Sequence, residues 1–208
     1  MFVDLHLHEK LFSSDSFISV EEIVEVARKR GVGAVCVTDH DSMGLYDKCD
    51  EYSRRLDFPI FCGVEYLTLQ GDITAFGIKQ FPDHRINAQD FLDMAKEQGA
   101  FTVSCHPFRT NNRGLGERVL KLKDLHGVEV LNGGTPVWEN APALSLCQRA
   151  GLKQIGGSDA HLYENICNFV TWLPCEVKTM DELVNALFSE ETHAAQWMGS
   201  HYSILSGK

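Results

Sequence analysis

Short apolar runs alternate with amphipathic stretches along the whole chain, and this alternation limits the possible folds more than any other feature. The apolar runs predict strands at residues 2–7, 34–38, 59–69, 72–78, 100–105, 127–131, 152–156 and 169–173. The amphipathic stretches predict helices at residues 20–30, 42–56, 87–98, 115–122, 139–150 and 180–188. This order predicts an α/β fold with a mainly parallel sheet, either a closed or nearly closed barrel or a doubly wound open sheet.

The chain shows no internal boundary. Neither a linker, a low-complexity segment nor a block of like charge divides its 208 residues, and 44% of them are apolar. A chain of this length and composition can bury one sizeable core. We therefore expect a single domain spanning residues 1–208.

Cysteine usage and the first residues bear on where the protein works. The seven cysteines are scattered without a C-x-x-C pair, so we expect buried free thiols in a reducing compartment rather than disulfides or a cysteine-type zinc site. The chain begins without a charged leader, and no apolar run is long enough to cross a bilayer. These features predict a soluble cytoplasmic protein without a membrane partner.

The net charge bears on possible partners. It is −10 at neutral pH, whereas nucleic acid binding draws on many Lys and Arg contacts with phosphates. The composition therefore argues against nucleic acid as a partner. Nothing in the sequence indicates the oligomeric state.

Side chains that can bind metal ions recur where the predicted strands end. Asp4, His6 and His8 alternate along the first strand, which predicts that they point to the same face. Further histidines and carboxylates stand at or near the ends of later strands, namely His40, Glu65, His106, Glu129, Asp159 and His161. The carboxyl ends of parallel strands share one rim, and imidazoles and carboxylates crowded there need a cation to offset desolvation and repulsion. We therefore predict a metal site at this rim.

The order of these groups resembles the PHP family of polymerase and histidinol phosphatase domains. The motifs that carry the resemblance cover nearly the whole chain: His6-Leu7-His8, Ser14-Asp15, Thr38-Asp39-His40-Asp41, Gly63-Val64-Glu65, His106-Pro107 and Gly157-Ser158-Asp159-Ala160-His161. The resemblance implies a distorted seven-stranded β/α barrel that works as a metal-dependent phosphoesterase.

The resemblance also implies how ligands divide among two or three divalent ions. Zn, Mn and Fe all suit mixed histidine and carboxylate ligands. The implied ligands are His6, His8, Glu65 and Asp159 for a first ion, with Glu65 bridging to a second; Asp15, His40 and His161 for another ion; and His106 for an ion that also touches Glu65.

The sequence leaves the occupancy of a third ion open. Many trinuclear relatives carry a further histidine on the strand after the glutamate motif, and Thr74 stands at about that place here. His84 follows beside Pro82 and Asp83, and we interpret it as a surface-loop residue rather than a substitute ligand.

The predicted site suggests a mechanism. Two cations about 3.5–4 Å apart lower the pKa of a shared water and hold the oxygens of a phosphoryl group during in-line attack. We hypothesise that a metal-bound hydroxide attacks and that His161 assists protonation of the leaving group. Arg109 and Arg113 follow His106 closely, and their guanidinium groups are predicted to bind the phosphate, with Arg109 the stronger candidate.

Other polar groups near the rim are interpreted as supports of the ligands. Glu129 and Asn132 are predicted to orient them. Asp39 and Asp41 either do the same or, in the case of Asp41, cap the helix that follows.

Three functions remain compatible with these residues. The first is hydrolysis of a small phosphate ester, such as a nucleotide or a sugar phosphate, by a phosphatase or phosphodiesterase. The second is a nuclease or a protein tyrosine phosphatase of the same fold. The third is a non-catalytic metal-binding regulatory domain, against which the nearly complete ligand set argues.

Overall fold

The computed structural model describes residues 1–205, so the last three residues of the predicted 1–208 domain lie outside the described part of the chain. The described residues form a single mixed α/β domain, as predicted. Its strands are β1 (Phe2–Asp4), β2 (Ala34–Val37), β3 (Ile60–Cys62), β4 (Val64–Leu67), β5 (Asp72–Phe76), β6 (Phe101–Ser104), β7 (Gly127–Asn132), β8 (Lys153–Gly157), β9 (Phe169–Trp172), β10 (His193–Trp197) and β11 (Tyr202–Ile204).

The helices largely follow the predicted amphipathic stretches. They are α1 (Val20–Lys29), α2 (Tyr46–Leu56), α3 (Ala88–Glu97), α4 (Val137–Asn140), α5 (Ala143–Ala150) and α6 (Met180–Ser189), with 3₁₀ turns at Gly116–Lys121 and Tyr163–Asn165. The helix predicted at 139–150 is divided into α4 and α5 at Pro142, which has no backbone N–H to continue a helix. The helix predicted at 115–122 is a 3₁₀ helix.

The strands lie in two sheets. The first has the order β11-β10-β9-β1-β2-β3, and the second has the order β4-β5-β6-β7-β8. The pairs β1–β2, β2–β3, β6–β7 and β7–β8 are parallel, and the remaining pairs are antiparallel. The sheets are therefore mixed rather than mainly parallel, and the doubly wound alternative is not what the chain adopts.

Two seams join the sheets. At one seam the chain passes from β3 to β4 at Gly63, where it exchanges the parallel partner β2 for the antiparallel partner β5. At the other seam, between β8 and β9, Thr171 Oγ1 accepts from Gly156 N at 3.0 Å and donates to Gly156 O at 2.9 Å. A side chain therefore makes the hydrogen bonds that backbone groups would make in a continuous sheet. A closed seven-stranded barrel is not confirmed, because the ladder within residues 1–205 is interrupted at these seams.

Several strands differ from their predicted bounds. The single strand predicted at 59–69 is two strands in different sheets, and the regular part of β1 ends at Asp4 rather than at residue 7. Beyond β1, an isolated bridge between Leu7 and Ala160 continues the pairing. The strands β10 and β11 were not predicted, because β10 has two alanines and polar residues rather than an apolar run and β11 has only three residues.

The helices pack on both sheets. One apolar cluster includes α1 and Cys49 of α2, a second surrounds α3 and α5, and a third joins α6 to β1, β6 and β8. No helix of residues 1–205 has both the length and the apolar content that a membrane crossing requires. The packing leaves the carboxyl ends of several strands facing one another, and the candidate site lies there.

Candidate metal centre

The predicted ligands converge because they follow strands that end at the same place. His6 and His8 follow β1, His40 follows β2, and His40 and Glu65 form an isolated bridge between the two sheets. His106 follows β6, and Asp159 and His161 follow β8. His106 and Asp159 adopt positive φ angles of 30° and 48°, a strained conformation for residues with side chains that is typical of functional sites.

Glu65 lies at the centre of the buried part of the site. Its Oε2 lies 2.7 Å from His40 Nδ1 and 3.4 Å from the Nε2 atoms of both His6 and His8. Its Oε1 lies 2.9 Å from His106 Nε2. One carboxylate therefore contacts four imidazoles that come from three different strands.

Asp159 forms a second acidic point of the buried part. Its Oδ1 lies 3.2 Å from His8 Nε2 and 3.5 Å from His6 Nε2. The possible ligand atoms of His6, His8, Glu65 and Asp159 all lie within 4.8 Å of one another. This spacing allows one ion to contact the four side chains together.

Asp15, His40 and His161 form a more open part of the site. Asp15 Oδ2 lies 3.2 Å from His40 Nε2 and 3.4 Å from His161 Nε2. The rings of His8 and His161 stack with centroids 4.2 Å apart, so this part adjoins the buried one. The side chains of Asp15, His40 and His161 are 53%, 24% and 26% exposed, in contrast to complete burial around Glu65.

The buried part contains polar atoms that a divalent cation would satisfy. His6 Nε2, His8 Nδ1, Glu65 Oε2 and His106 Nδ1 are buried and make no hydrogen bond to the described residues. Buried groups of this kind are costly unless a partner is bound. The donor set therefore fits divalent metal ions.

The electrostatics of the site fit the same conclusion. Burial lowers the pKa of His8 to about 4, so its imidazole is neutral at pH 7 and can bind a cation. Burial also opposes the charge of His6, but Glu129, Asp159 and Glu65 together raise the pKa of His6 well above its ordinary value. Against its burial, the nearby His6 holds the pKa of Asp159 well below its usual range.

Glu129 orients His6 and the strand end at His106. Its Oε1 lies 3.0 Å from His6 Nδ1, and its Oε2 accepts from the His106 backbone N–H at 2.9 Å. Asn132 Nδ2 donates to the same Oε2 at 2.8 Å. Because Nδ1 of His6 faces a carboxylate, Nε2 is the nitrogen that faces Glu65 and Asp159. Contacts of this type fix the orientation of metal-binding histidines.

Asp4 does not join the cluster, although it alternates with His6 and His8. It is buried and accepts backbone N–H groups of His6 at 3.3 Å, Ser158 at 3.0 Å and Cys167 at 3.1 Å. Burial raises the pKa of Asp4 to about 6. The expectation that all three side chains share one face of a strand was wrong for Asp4, because regular β structure ends at this residue.

Asp39 and Asp41 contact backbone groups rather than the predicted ligands. Asp39 Oδ1 accepts the Glu9 N–H at 2.9 Å, and burial raises the pKa of Asp39 to about 7. Asp41 Oδ1 accepts the Leu67 N–H at 2.9 Å. Since α2 begins only at Tyr46, Asp41 does not cap it.

Arg109 contacts a predicted ligand. Its Nη2 donates to Asp159 Oδ2 at 2.5 Å, to Asn132 Oδ1 at 2.8 Å and to Thr135 Oγ1 at 2.9 Å, and its Nε lies 3.1 Å from Thr135 Oγ1. Within residues 1–205, Nη1 has no hydrogen-bond partner. Arg109 therefore holds Asp159 in place and keeps one end of its guanidinium available.

Arg113 reveals an acidic residue that the sequence reading missed. Its Nε donates to Asp72 Oδ2 at 2.5 Å, and Asp72 Oδ2 lies 3.7 Å from His106 Nε2. Thr74, which the sequence suggested at this place, pairs with Glu65 across the β4–β5 ladder but supplies no ionisable group. Asp72 lies two residues before Thr74 and therefore on the same face of β5, and this spacing could have identified it from the sequence. Burial and the charge of Glu65 raise the pKa of Asp72 to about 8.

All eight predicted ligands thus lie in one connected cluster, and their role in binding metal stays a prediction. His84, in contrast, lies in an exposed loop where its ring contacts Asp83 at 3.1 Å. Cys105 adjoins Glu65 and His106, with the possible ligand atoms of the three residues within 4.8 Å of one another. The cysteines of residues 1–205 form no disulfide.

Solved structures share this fold. A two-domain protein from Bacteroides vulgatus, described as containing a PHP-like metal-dependent phosphoesterase, superposes with a TM-score of 0.73 at 23% identity over 93% of this chain. The chain spans 64% of that protein's length. A lesion-specific endonuclease from Pyrococcus furiosus gives a TM-score of 0.63 at 14% identity, covering 92% of this chain and 57% of the endonuclease.

The endonuclease bears on the expected partners. A structure of endonuclease Q contains a 27-mer duplex substrate with an abasic lesion at the active site. A protein with this fold thus binds nucleic acid. The expectation, from net charge alone, that nucleic acid is not a partner of this chain is therefore unsupported.

Sequence comparisons identify the family. An uncharacterized protein from Methanocaldococcus jannaschii is 30% identical over 141 residues, which cover 64% of this chain and 82% of that protein. A PHP-associated family model matches residues 137–192. The PHP domain model matches residues 4–158, a segment that holds six of the eight clustered side chains and ends one residue before Asp159. The chain belongs to the PHP domain family.

Proposed function

We propose that the protein hydrolyses a phosphate ester of a small nucleotide or sugar-phosphate-like molecule with the help of divalent metal ions. The observation that carries the proposal is the buried carboxylate of Glu65, which has imidazole nitrogens of His6, His8, His40 and His106 within 3.4 Å. Such a group of neutral and acidic donors, with several atoms lacking hydrogen bonds, is suited to bind more than one cation.

The ions would be held by two sets of residues that meet at Glu65. The buried set is His6, His8, Glu65 and Asp159, and the open set is Asp15, His40 and His161, with His106 reaching Glu65 from β6. When bound, zinc, manganese or iron would polarise a phosphoryl oxygen and lower the pKa of water at the site.

His161 has one ring nitrogen turned to the open part of the site. Its Nδ1 lies 3.0 Å from the carbonyl oxygen of Asp159, which can only accept, so Nδ1 is the donor. Nε2 therefore faces Asp15. At this position Nε2 of the neutral ring offers a lone pair that can bind an ion, whereas a ring that has taken up a second proton can pass it from Nε2 to the leaving oxygen. The ring is about one quarter exposed, so ions and substrate can reach it.

Arg109 and Arg113 bring positive charge to opposite sides of the cluster. Arg109 contacts Asp159 on the β8 side, and Arg113 contacts Asp72 on the β5 side. In each guanidinium, Nη1 has no hydrogen-bond partner within residues 1–205. These groups are placed to bind phosphate oxygens, for which the planar fork of arginine is well suited.

Exposed aromatic side chains favour a nucleotide over a bare sugar phosphate. Phe17 is 72% exposed, and its backbone N–H donates to the His161 carbonyl at 3.0 Å, so it adjoins the open part of the site. Trp138 is 76% exposed on α4, three residues after the Thr135 that contacts Arg109. Aromatic faces of this kind stack on bases at about 1–3 kcal/mol per base.

A nuclease is the second candidate. The same exposed aromatic residues could stack bases of a nucleic acid, and a nuclease with this fold binds a damaged duplex. The net charge of −10 favours the small substrate, because a long backbone would meet repulsion rather than a cationic groove.

Phosphate release with purified protein tests the proposal. The protein is loaded with Mn²⁺, Zn²⁺ or Fe²⁺ and assayed with nucleotides, sugar phosphates, an aryl phosphodiester, a phosphotyrosine peptide and a DNA duplex containing an abasic site. Turnover of a nucleotide or sugar phosphate supports the proposal, whereas cleavage of the duplex alone would establish the nuclease. Bound metal without hydrolysis of any compound would indicate a regulatory domain.

A histidine pair gives the matched control. His8→Ala is expected to lose bound metal and activity together, because it removes a buried group between Glu65 and Asp159. His84→Ala removes an exposed loop histidine and is expected to change neither. Full activity and metal content in His8→Ala would exclude this cluster as the reacting centre.

A further inference from the structure

A guanidinium group lies among the acidic and imidazole groups next to β5. Arg113 Nε contacts Asp72 Oδ2 at 2.5 Å, and Nη2 lies 3.2 Å from His40 Nδ1 and 3.8 Å from Glu65 Oε1. Asp72 Oδ2 is also 3.7 Å from His106 Nε2. We name the space bounded by Asp72, Glu65 and His106 the third position. Its boundary is a set of donors that could hold a cation, and Arg113 already contacts two of them.

The chain builds this placement of Arg113. The backbone N–H of Asp72 donates to the Arg113 carbonyl at 2.7 Å, which ties the segment to the start of β5. A Cβ on Gly114 would lie 2.3 Å from the Pro107 carbonyl oxygen, and one on Gly71 would lie 2.8 Å from the Arg113 carbonyl oxygen. The two glycines therefore permit a close backbone approach that any larger residue would prevent. These close backbone contacts fix the position of the segment that carries Arg113.

Asp72 explains why a positive charge is needed there. Its carboxylate is fully buried, and Oδ1 accepts no hydrogen bond from the described residues. A second carboxylate, Glu65, lies on the same side of the β4–β5 ladder. Two buried acids this close cannot both be ionised without a cation, which either a divalent ion or a guanidinium can supply. The guanidinium remains charged at any pH at which the protein is folded.

We propose that Arg113 is a built-in cation at the third position, so that the protein binds two divalent ions rather than three. The two ions are those of the buried and open sets, neither of which includes Asp72. Arg113 then keeps a fixed positive charge beside the substrate phosphate whatever the metal supply. The inference rests on the metal centre of the proposed function and concerns how many ions it holds.

Metal counting tests this inference independently of hydrolysis. Wild-type protein, Arg113→Met and Arg118→Met are loaded with excess Mn²⁺ and freed of unbound metal by desalting, and metal per chain is measured by mass spectrometry. Arg118 is the matched control, because it lies in the same connection between β6 and β7 but is exposed on the 3₁₀ helix. Arg113→Gln is a second neutral variant, in case Arg113→Met does not fold.

The expected result is two ions in the wild type and in Arg118→Met, and three in the neutral Arg113 variants, with Asp72, Glu65 and His106 freed to bind the third. Arg113→Lys keeps a positive charge and is expected to bind two. Three ions in the wild type, or two in every variant, would overturn the inference and leave the metal centre intact. Absence of metal from the wild type would overturn both.

Discussion

The two halves of the metal centre differ in their access to solvent. His6, His8, Glu65 and Asp159 are almost completely buried, whereas Asp15, His40 and His161 are between about one quarter and one half exposed. The buried half also has further contacts behind it, because Glu129 holds His6 and Arg109 holds Asp159. Asp15 of the open half is held by Ser13 and by the two histidines it faces.

The difference suggests a division of labour. A buried donor set with supporting contacts favours tight binding and slow exchange of its ion, because its ligands are oriented before the ion arrives. A half-exposed set allows substrate and water to reach its ion. We therefore expect the buried half mainly to retain its ion and the open half to contact the substrate. Substitutions of Glu65, Asp15 and Arg109, and the pH dependence of metal binding, test this contrast.

The largest effect is expected from Glu65→Gln, which removes the charge shared by both halves without changing side-chain size. We expect loss of both ions and a fall in activity of roughly a thousandfold or more, equivalent to about 4 kcal/mol. Metal analysis and steady-state kinetics check this. Glu117→Gln, at an exposed position, is the control. Retention of one ion by Glu65→Gln would show that the halves are independent.

Asp15→Ala is expected to separate the halves. The substitution removes the acid between His40 and His161 but leaves the buried set complete. We expect one ion to be lost, one to remain, and activity to fall about a hundredfold. Metal content and kcat are the measurements. Loss of both ions from Asp15→Ala would contradict the idea of a self-sufficient buried half.

Arg109→Met is expected to act on the buried half through Asp159. The guanidinium fixes one carboxylate oxygen of Asp159, and loss of such a supporting contact weakens metal binding by about 10–100-fold. We also expect KM to rise, because one phosphate-binding group is lost. Metal titration and KM measured at saturating metal distinguish the two effects. Unchanged metal affinity would mean that Arg109 serves the substrate alone.

Metal affinity of the buried half is expected to rise with pH. The carboxylates around His6 raise its pKa well above 6.5, so the metal-free protein carries a proton on His6 at neutral pH that an ion must displace. Affinity should therefore rise about tenfold per pH unit until the pH exceeds that pKa. His8, whose pKa is lowered to about 4 by burial, adds no dependence in this range.

Calorimetric titration in two buffers of different ionisation enthalpy measures the released proton. A release close to one proton per buried ion at pH 7 agrees with the expectation. An affinity that does not change between pH 6 and pH 8 would contradict it, and would mean that His6 is already neutral in the metal-free protein.

Local pattern predicted much of the site because short-range spacing fixes side-chain direction. The period-two spacing of His6 and His8, and of Asp159 and His161, brought both members of each pair to the cluster. The same rule was wrong for Asp4, where the regular strand ends and the side chain turns to backbone N–H groups. Because β1 ends at Asp4 whereas His6 and His8 follow it, the period-two pattern did not hold across the end of the strand.

Contacts between distant segments could not be predicted from local residue spacing. The sequence suggested Thr74 as the residue that β5 contributes. The register between β4 and β5 and the contact with Arg113 place Asp72 at the site instead. The pairing of Glu129 with His6 spans 123 residues, and no local feature selects it among the buried acids.

The order of residue types along the chain was enough to predict an α/β domain with a metal-binding rim at the strand ends. The folded chain was needed to see that the strands divide into two sheets, that Glu65 contacts four imidazoles, and that Arg113 lies beside Asp72. The physical reason is that side-chain direction depends on a residue's own backbone, whereas these meetings depend on strand register and backbone packing between segments far apart in the chain.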